Sequence, residues 1–148
     1  MASPSDLRAA AIEALDRSHS PHSGFAVGAA IEDDTGAVHV GANVECVATP
    51  LGACAEVTAI GHMVMASGPY RRVRQVAVVG RNWAKGEGIA DAITPCGGCR
   101  QRLAEFVEPE RMGDVPVHLC DANGVVRSPS LGELLPGTFT ADIAKDRS

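Results

Sequence analysis

Three cysteines constrain this chain more than any other feature. Cys96 and Cys99 stand with two residues between them in Thr94-Pro95-Cys96-Gly97-Gly98-Cys99-Arg100-Gln101, and Cys54 opens Cys54-Ala55-Glu56 well upstream. The C-x-x-C spacing lets two sulfurs face one point, and the glycines between them accept a tight turn. An apolar-periodic segment (Leu103, Phe106, Val107) follows, so the pair is expected at a helix N-terminus, where the helix dipole and unpaired N–H groups favour thiolate. Cys54 opens a second helical pattern, with Val57, Ile60, Met63 and Val64 at helical spacing. A fold that brings these two helix starts together lets three thiolates converge on one zinc at about 2.3 Å each. Three protein ligands leave a fourth position for water, the arrangement of a catalytic site rather than a structural one. Glu56, two residues past its cysteine, is close enough to move that water's protons without being a ligand.

The rest of the chain narrows what such a site can serve. At 148 residues, with 45% hydrophobic and 21% charged residues, it is expected to fold as one globular domain over residues 1–148. A formal net charge of −5 disfavours a nucleic acid partner, since phosphate binding wants a basic surface. Three Phe, one Tyr and one Trp make no stacking platform for single strands. Asp6, Arg8, Glu13 and Asp16 interrupt any N-terminal apolar run, so no export or transit signal is read, and no stretch reaches membrane-spanning length. Five cysteines without an export signal point to a reducing, cytoplasmic setting in which metal binding outranks disulfides.

Along the chain, Ser5-Asp6 is expected to begin a helix running to about Arg17, with Leu7, Ala10, Ala11, Ala14 and Leu15 as its apolar stripe. Residues 18–24 read as a loop. Residues 25–31 and 37–40 read as paired strands about an Asp33-Asp34-Thr35-Gly36 turn. The Cys54 helix ends near Ser67-Gly68-Pro69. Residues 73–80 form a central strand, and residues 81–93 a longer loop holding the only tryptophan, Trp83. A helix over 97–107, a strand over 117–120, a short strand from Val125 and a short helix over 131–136 complete the order, with a frayed tail after Asp142. This order predicts an α/β fold, three layers α/β/α around a mixed sheet of about five strands.

Three cysteines, a nearby glutamate and P-C-x-x-C form the constellation of zinc nucleobase deaminases. The chain resembles the cytidine deaminase family, specifically its small, homotetrameric branch with three cysteines on zinc. The resemblance runs from about Ser23 to Phe139. It rests on Phe25-Ala26-Val27-Gly28-Ala29, Asn43-Val44-Glu45, Pro50 through Glu56, Pro95 through Gln101, and Glu133-Leu134-Leu135-Pro136. It implies hydrolytic deamination of cytidine or 2′-deoxycytidine to the uridine product and ammonia, as in pyrimidine salvage, with Glu56 as proton shuttle. It further implies that Asn43 and Glu45 hold the ribose hydroxyls, Phe25 lies beside the base and Ala55 reads its amide edge. Phe139 is implied to reach a neighbouring subunit's active site. Relatives acting on modified cytosine nucleosides, such as blasticidin S deaminases, share the same core motifs.

Two positions depart from the family pattern. Val57 stands where many members have an arginine that offsets thiolate charge, a part Arg100 would take over if it pointed inward. Thr49 stands where a tyrosine usually closes the sugar pocket, so that side is expected to be roomier, and the loop over 81–93 bears on access as well. Without the resemblance the residues keep simpler readings. Cys96 and Cys99 then make a thiol redox pair, which leaves Cys54 and Glu56 without a task, or a structural zinc completed by His22 or His62. Asn43 and Glu45 become turn residues, Phe25 and Phe139 packing residues, and Cys46 and Cys120 small buried apolar ones.

Overall fold

Helix α1 (Pro4–Leu15) owes its start to Ser3, whose hydroxyl accepts from the Asp6 amide while the Asp6 carboxylate accepts from the Ser3 amide. This capping box, with Pro4 in the first turn, moves the start ahead of the expected Ser5. The computed structural model describes residues 1–140, so the expected frayed tail after Asp142 lies outside the described residues.

Strand β1 (Phe25–Asp33) pairs antiparallel with β2 (Val38–Ala42) on one edge and with β3 (Val73–Asn82) on the other. Beyond β3, β4 (Val117–Cys120) runs parallel to it, and β5 (Val125–Arg127) closes the far edge antiparallel. The order β2-β1-β3-β4-β5 is the mixed five-stranded sheet expected. β1 runs past Ile31 because its two acids are buried with partners. Glu32 accepts from the Ala2 amide and the Gln75 side chain. Burial pushes the Asp33 carboxyl up, but hydrogen bonds from Thr35 and His39 outweigh it and hold the group well below the usual carboxylate range.

Alternate residues of the central strands supply two cores, one on each face, as a period of two requires. Ala26, Ala30, Ala77 and Val79 pack under Leu7, Ala11 and Leu15 of α1. Ala29, Ile31, Val76 and Val78 pack under Ala59 and Met63 of α2 (Ala55–Ser67) and Leu103 of α3 (Gly97–Ala104). The result is three layers, α/β/α. Two glycines let the helices seat closely: a Cβ at Gly28 would meet the Ala11 carbonyl of α1, and one at Gly41 would lie 2.4 Å from the Ala55 oxygen of α2. α3 ends at Ala104 rather than at 107, because Phe106 and Val107 turn back to bond Leu103 and Ala104. A short helix α4 (Leu131–Leu134) completes the described chain. Among the described residues no helix is long and apolar enough to cross a membrane.

Candidate metal centre and substrate cavity

Cys54 and Cys96 are the N-cap residues of α2 and α3, both extended in backbone and neither using its sulfur as a cap. Two helix N-termini therefore point at the same region, and Cys99, in the first turn of α3, adds a third sulfur. The three Sγ atoms lie within 4.8 Å of one another. All three cysteines are free thiols.

The electrostatics say what this triangle wants. The Cys99 backbone N–H pulls the Cys96 thiol below its ordinary range. Burial, with the charges of Cys96 and Glu56 adding to it, pushes Cys54 up. Burial and the charges of Glu56 and Cys54 push Cys99 up further still. Three sulfurs this close resist sharing negative charge, and a divalent cation among them removes that resistance. Soft thiolate donors in a closed triangle suit zinc. Among the described residues no histidine or carboxylate joins the cluster. His62, considered as a fourth ligand, bonds the Val40 carbonyl instead.

A cavity of about 350 Å³, the size of a small-molecule site, opens beside Cys54 and Cys96. Ala55 and Glu56 line it, as do Asn43, Glu45 and Thr49. Glu56 is only 4% exposed, and that burial pushes its carboxyl up against opposing contacts with its own backbone amide and the Cys99 thiol. A carboxyl poised in this way gives and takes protons more readily than a surface acid.

The side chain of Asn43 is held by β1 and by Ser18 of the loop over 18–24, and that of Glu45 by the same loop. The Asn43 Oδ1 accepts from the Val27 amide at 2.9 Å and the Ser18 hydroxyl at 2.5 Å, while Nδ2 donates to the Phe25 carbonyl at 2.9 Å. The Glu45 carboxylate accepts from the His22 and Ser23 amides through Oε1 and from the Ser23 hydroxyl through Oε2. The Ser23 hydroxyl and amide hold that carboxyl below its usual range. These serines carried no site reading in the sequence. Their signal, hydroxyls crowded beside Pro21 and Gly24, looked like ordinary loop punctuation.

Other expected residues fall elsewhere. The Phe25 ring covers Gly80 next to Ile93; Ile93, Val27 and Val78 line the cavity, and Phe25 does not. Phe139 is 54% exposed, and its carbonyl accepts from the Gln101 side chain, outside this chain's own cavity. Arg100 does not turn inward: its Nε donates to the Pro95 carbonyl at 2.8 Å and Nη1 to the Leu134 carbonyl at 2.7 Å, tying α3 to α4.

Comparison with known proteins agrees with this geometry. Residues 1–112 match the family model described as the cytidine and deoxycytidylate deaminase zinc-binding region. A cytidine deaminase of Sporosarcina psychrophila is 35% identical over 88% of this chain and 86% of its own length. One of Mycobacterium tuberculosis is 36% identical over 92% of this chain and 89% of its own. The crystal structure of cytidine deaminase from Burkholderia pseudomallei superposes with a TM-score of 0.75 at 37% identity, covering 90% of this chain and 96% of that one. A match that spans both cysteine motifs, together with a shared fold and a triangle of sulfurs beside a buried glutamate, leaves one assignment: this chain belongs to the cytidine and deoxycytidylate deaminase family.

Proposed function

We propose that this chain, working as a single domain, hydrolyses the C4 amino group of cytidine and 2′-deoxycytidine, giving the uridine product and ammonia. The observation that carries the proposal is the buried Glu56 carboxyl in the wall of a nucleoside-sized cavity, beside three convergent thiols. Cys54, Cys96 and Cys99 would hold a zinc ion, which when bound would supply Lewis-acid activation of the attacking water. Glu56 accepts one proton from that water and delivers it to N3 as the oxygen adds to C4. It then carries the second proton to the departing amine, so that C–N breaks as ammonia leaves. Burial of Glu56 keeps those protons from bulk solvent.

Hydrogen-bonding capacity supports a sugar-reading role for Asn43 and Glu45. Both acceptor sites of Asn43 Oδ1 are filled and one N–H of Nδ2 is engaged, leaving one donor. Three donors already reach Glu45, leaving one acceptor site on Oε2. One donor and one acceptor match a single hydroxyl, such as the 3′-OH common to both nucleosides, better than a vicinal pair. In this reading Ala55 faces the base, and Phe25 supports it through Ile93. The exposed apolar Val47 and Leu51, which flank the cavity residue Thr49, fit a homotetramer in which Phe139 reaches a neighbour's site. A cytoplasmic, reducing setting suits three thiols kept available as ligands, and the reading places the enzyme in salvage of free nucleosides rather than on nucleic acid.

The test is to incubate purified, zinc-replete protein with cytidine, 2′-deoxycytidine, 3′-deoxycytidine, CMP and cytosine, following ammonia release. Turnover of the first two, with a clear penalty for 3′-deoxycytidine and cytosine, is expected. No ammonia from any of the five would refute the proposal.

A further inference from the structure

The loop that follows β3 reaches back to the residues assigned to the sugar. Residues Trp83–Lys85 form a short 3-10 turn, capped by the Asn82 side chain. Half-exposed Trp83 donates its indole N–H to the Ser20 hydroxyl at 2.8 Å, and Ser20 is 3% exposed. Ser20 Oγ lies 3.0 Å from Ser18 Oγ, which lies 2.5 Å from Asn43 Oδ1. An indole can only donate and an amide oxygen can only accept, so the two ends of this chain of groups are fixed: Ser20 accepts from Trp83, and the Ser18 hydroxyl, in reach of Ser20 Oγ, donates to Asn43 Oδ1. Each link polarises the next.

The same turn braces the loop at a second point. The Ala84 amide donates to the Gly24 carbonyl at 3.3 Å, and a Cβ on Gly24 would stand 2.4 Å from the Ala84 Cβ. Gly24 has φ +69°, a left-handed conformation that glycine takes without strain. Ala84 thus fits against a position with no side chain, one residue from Ser23, whose amide and hydroxyl both bond Glu45.

We propose that Trp83 is a positioning residue for sugar recognition: it orders the 18–24 loop through Ser20 and Ser18, and that loop aims the remaining donor of Asn43 and acceptor of Glu45 into the cavity. The proposal rests on the reading that Asn43 and Glu45 hold a sugar hydroxyl. It gives a task to the extended loop after β3, which that reading leaves without one.

The experiment compares wild type with Trp83→Phe, which keeps a ring and removes the donor, and with Ser20→Ala, which breaks the middle link. KM and kcat are measured on zinc-replete protein for cytidine, 2′-deoxycytidine and 2′,3′-dideoxycytidine. Each variant is expected to raise KM about tenfold for the first two substrates, the effect of one lost or misdirected hydrogen bond, with kcat little changed. KM for the dideoxy substrate, which has no hydroxyl for Asn43 or Glu45, is expected to stay at the wild-type value. A second readout needs no turnover. As the only tryptophan, Trp83 gives a single indole N–H resonance. That resonance is expected to shift when wild type binds uridine but not uracil, and to lose its hydrogen-bonded position in Ser20→Ala.

Unchanged KM for cytidine in both variants would overturn the proposal while leaving the sugar reading intact. So would equal rises for all three substrates, which would make the loop a general structural support. Should wild type itself handle cytidine and 2′,3′-dideoxycytidine with the same KM, the sugar assignment falls, and the role of Trp83 falls with it.

Discussion

Gly41→Ala tests how the fold sets the site. A Cβ at this position in β2 would stand 2.4 Å from both the Ala55 oxygen and the Ala59 nitrogen, and 2.9 Å from the Thr58 carbonyl carbon. All three are backbone atoms of α2, so no rotamer change relieves the clash. Restoring ordinary contact requires α2 to retreat by about 1 Å. Overpacking of this kind costs about 1–3 kcal/mol, which in a chain of this size lowers the melting temperature by roughly 3–10 °C. The larger consequence is chemical, because the displaced end of α2 carries Cys54 as its N-cap and Glu56 in its first turn. A shift of about 1 Å in groups that must converge with α3 predicts a loss of kcat/KM on the order of a hundredfold. Thermal melts and ammonia-release kinetics at fixed zinc give both numbers. Gly36→Ala is the control: its φ of +87° strains an alanine, yet nothing lies within 4 Å of the added carbon. It is expected to lose roughly 1–2 kcal/mol of stability and so melt lower, with unchanged kcat/KM. The reasoning is wrong if Gly41→Ala keeps kcat/KM within about twofold of wild type.

Three further outcomes are expected. Glu56→Gln is expected to retain one zinc per chain by elemental analysis and to lose about 10²–10⁴-fold in kcat, since in the proposed mechanism its side chain moves protons and does not ligate; substantial residual turnover would remove it from the mechanism. Arg74, bonded to Glu108 at 2.8 and 3.0 Å, holds that carboxyl down at about 2 from an ordinary 4.5. A depressed acid stabilises the fold fully above its unfolded value and loses that contribution as pH falls from about 4.5 toward 2. Glu108→Gln therefore flattens the acid limb of stability in that window by about 1 kcal/mol after screening, and an unchanged acid melting profile would count against it. Thr49→Tyr is expected to lower kcat/KM for a cytosine nucleoside with an enlarged sugar more than for cytidine, because Thr49 lines the cavity without filling it; equal effects on both would remove Thr49 from substrate choice.

What the sequence revealed follows from how local each signal is. Cys54, Cys96 and Cys99 were legible because their motifs are local in sequence and each begins a helix. The pairing of β1 with β2 was legible from alternation and the Asp33-Asp34-Thr35-Gly36 turn between them, whereas the spatial order of the strands was not read. The extension of β1 through Glu32 and Asp33 was not, because the partners that make two acids tolerable there, Gln75, Ala2 and His39, come from other segments. Ser18, Ser20 and Ser23 were hidden for the same reason: they act on Asn43, Glu45 and Trp83, contacts made only once the chain has folded. Phe25 shows a further gap. Alternation puts Phe25 and Val27 on one face of β1, but only packing against Gly80 decides that Val27 lines the cavity and Phe25 does not.

The departures at Val57 and Arg100 bear on one quantity, the charge at the metal centre. Three thiolates around a divalent ion leave a net charge of −1. The family's arginine after the Cys-Ala-Glu motif is Val57 here, and Arg100 is engaged with two backbone carbonyls. Backbone offsets part of that charge: the N-termini of α2 and α3, including the Cys99 N–H that pulls the Cys96 thiol down. Fixed amides do not titrate, so this offset persists across the working pH range, but they neutralise less than a full guanidinium charge. Sulfurs left electron-rich in this way would favour retention of a bound ion and would lower its power to acidify water. In the proposed mechanism more of the proton transfer would then fall to Glu56, and the burial that raises its carboxyl suits it to that demand.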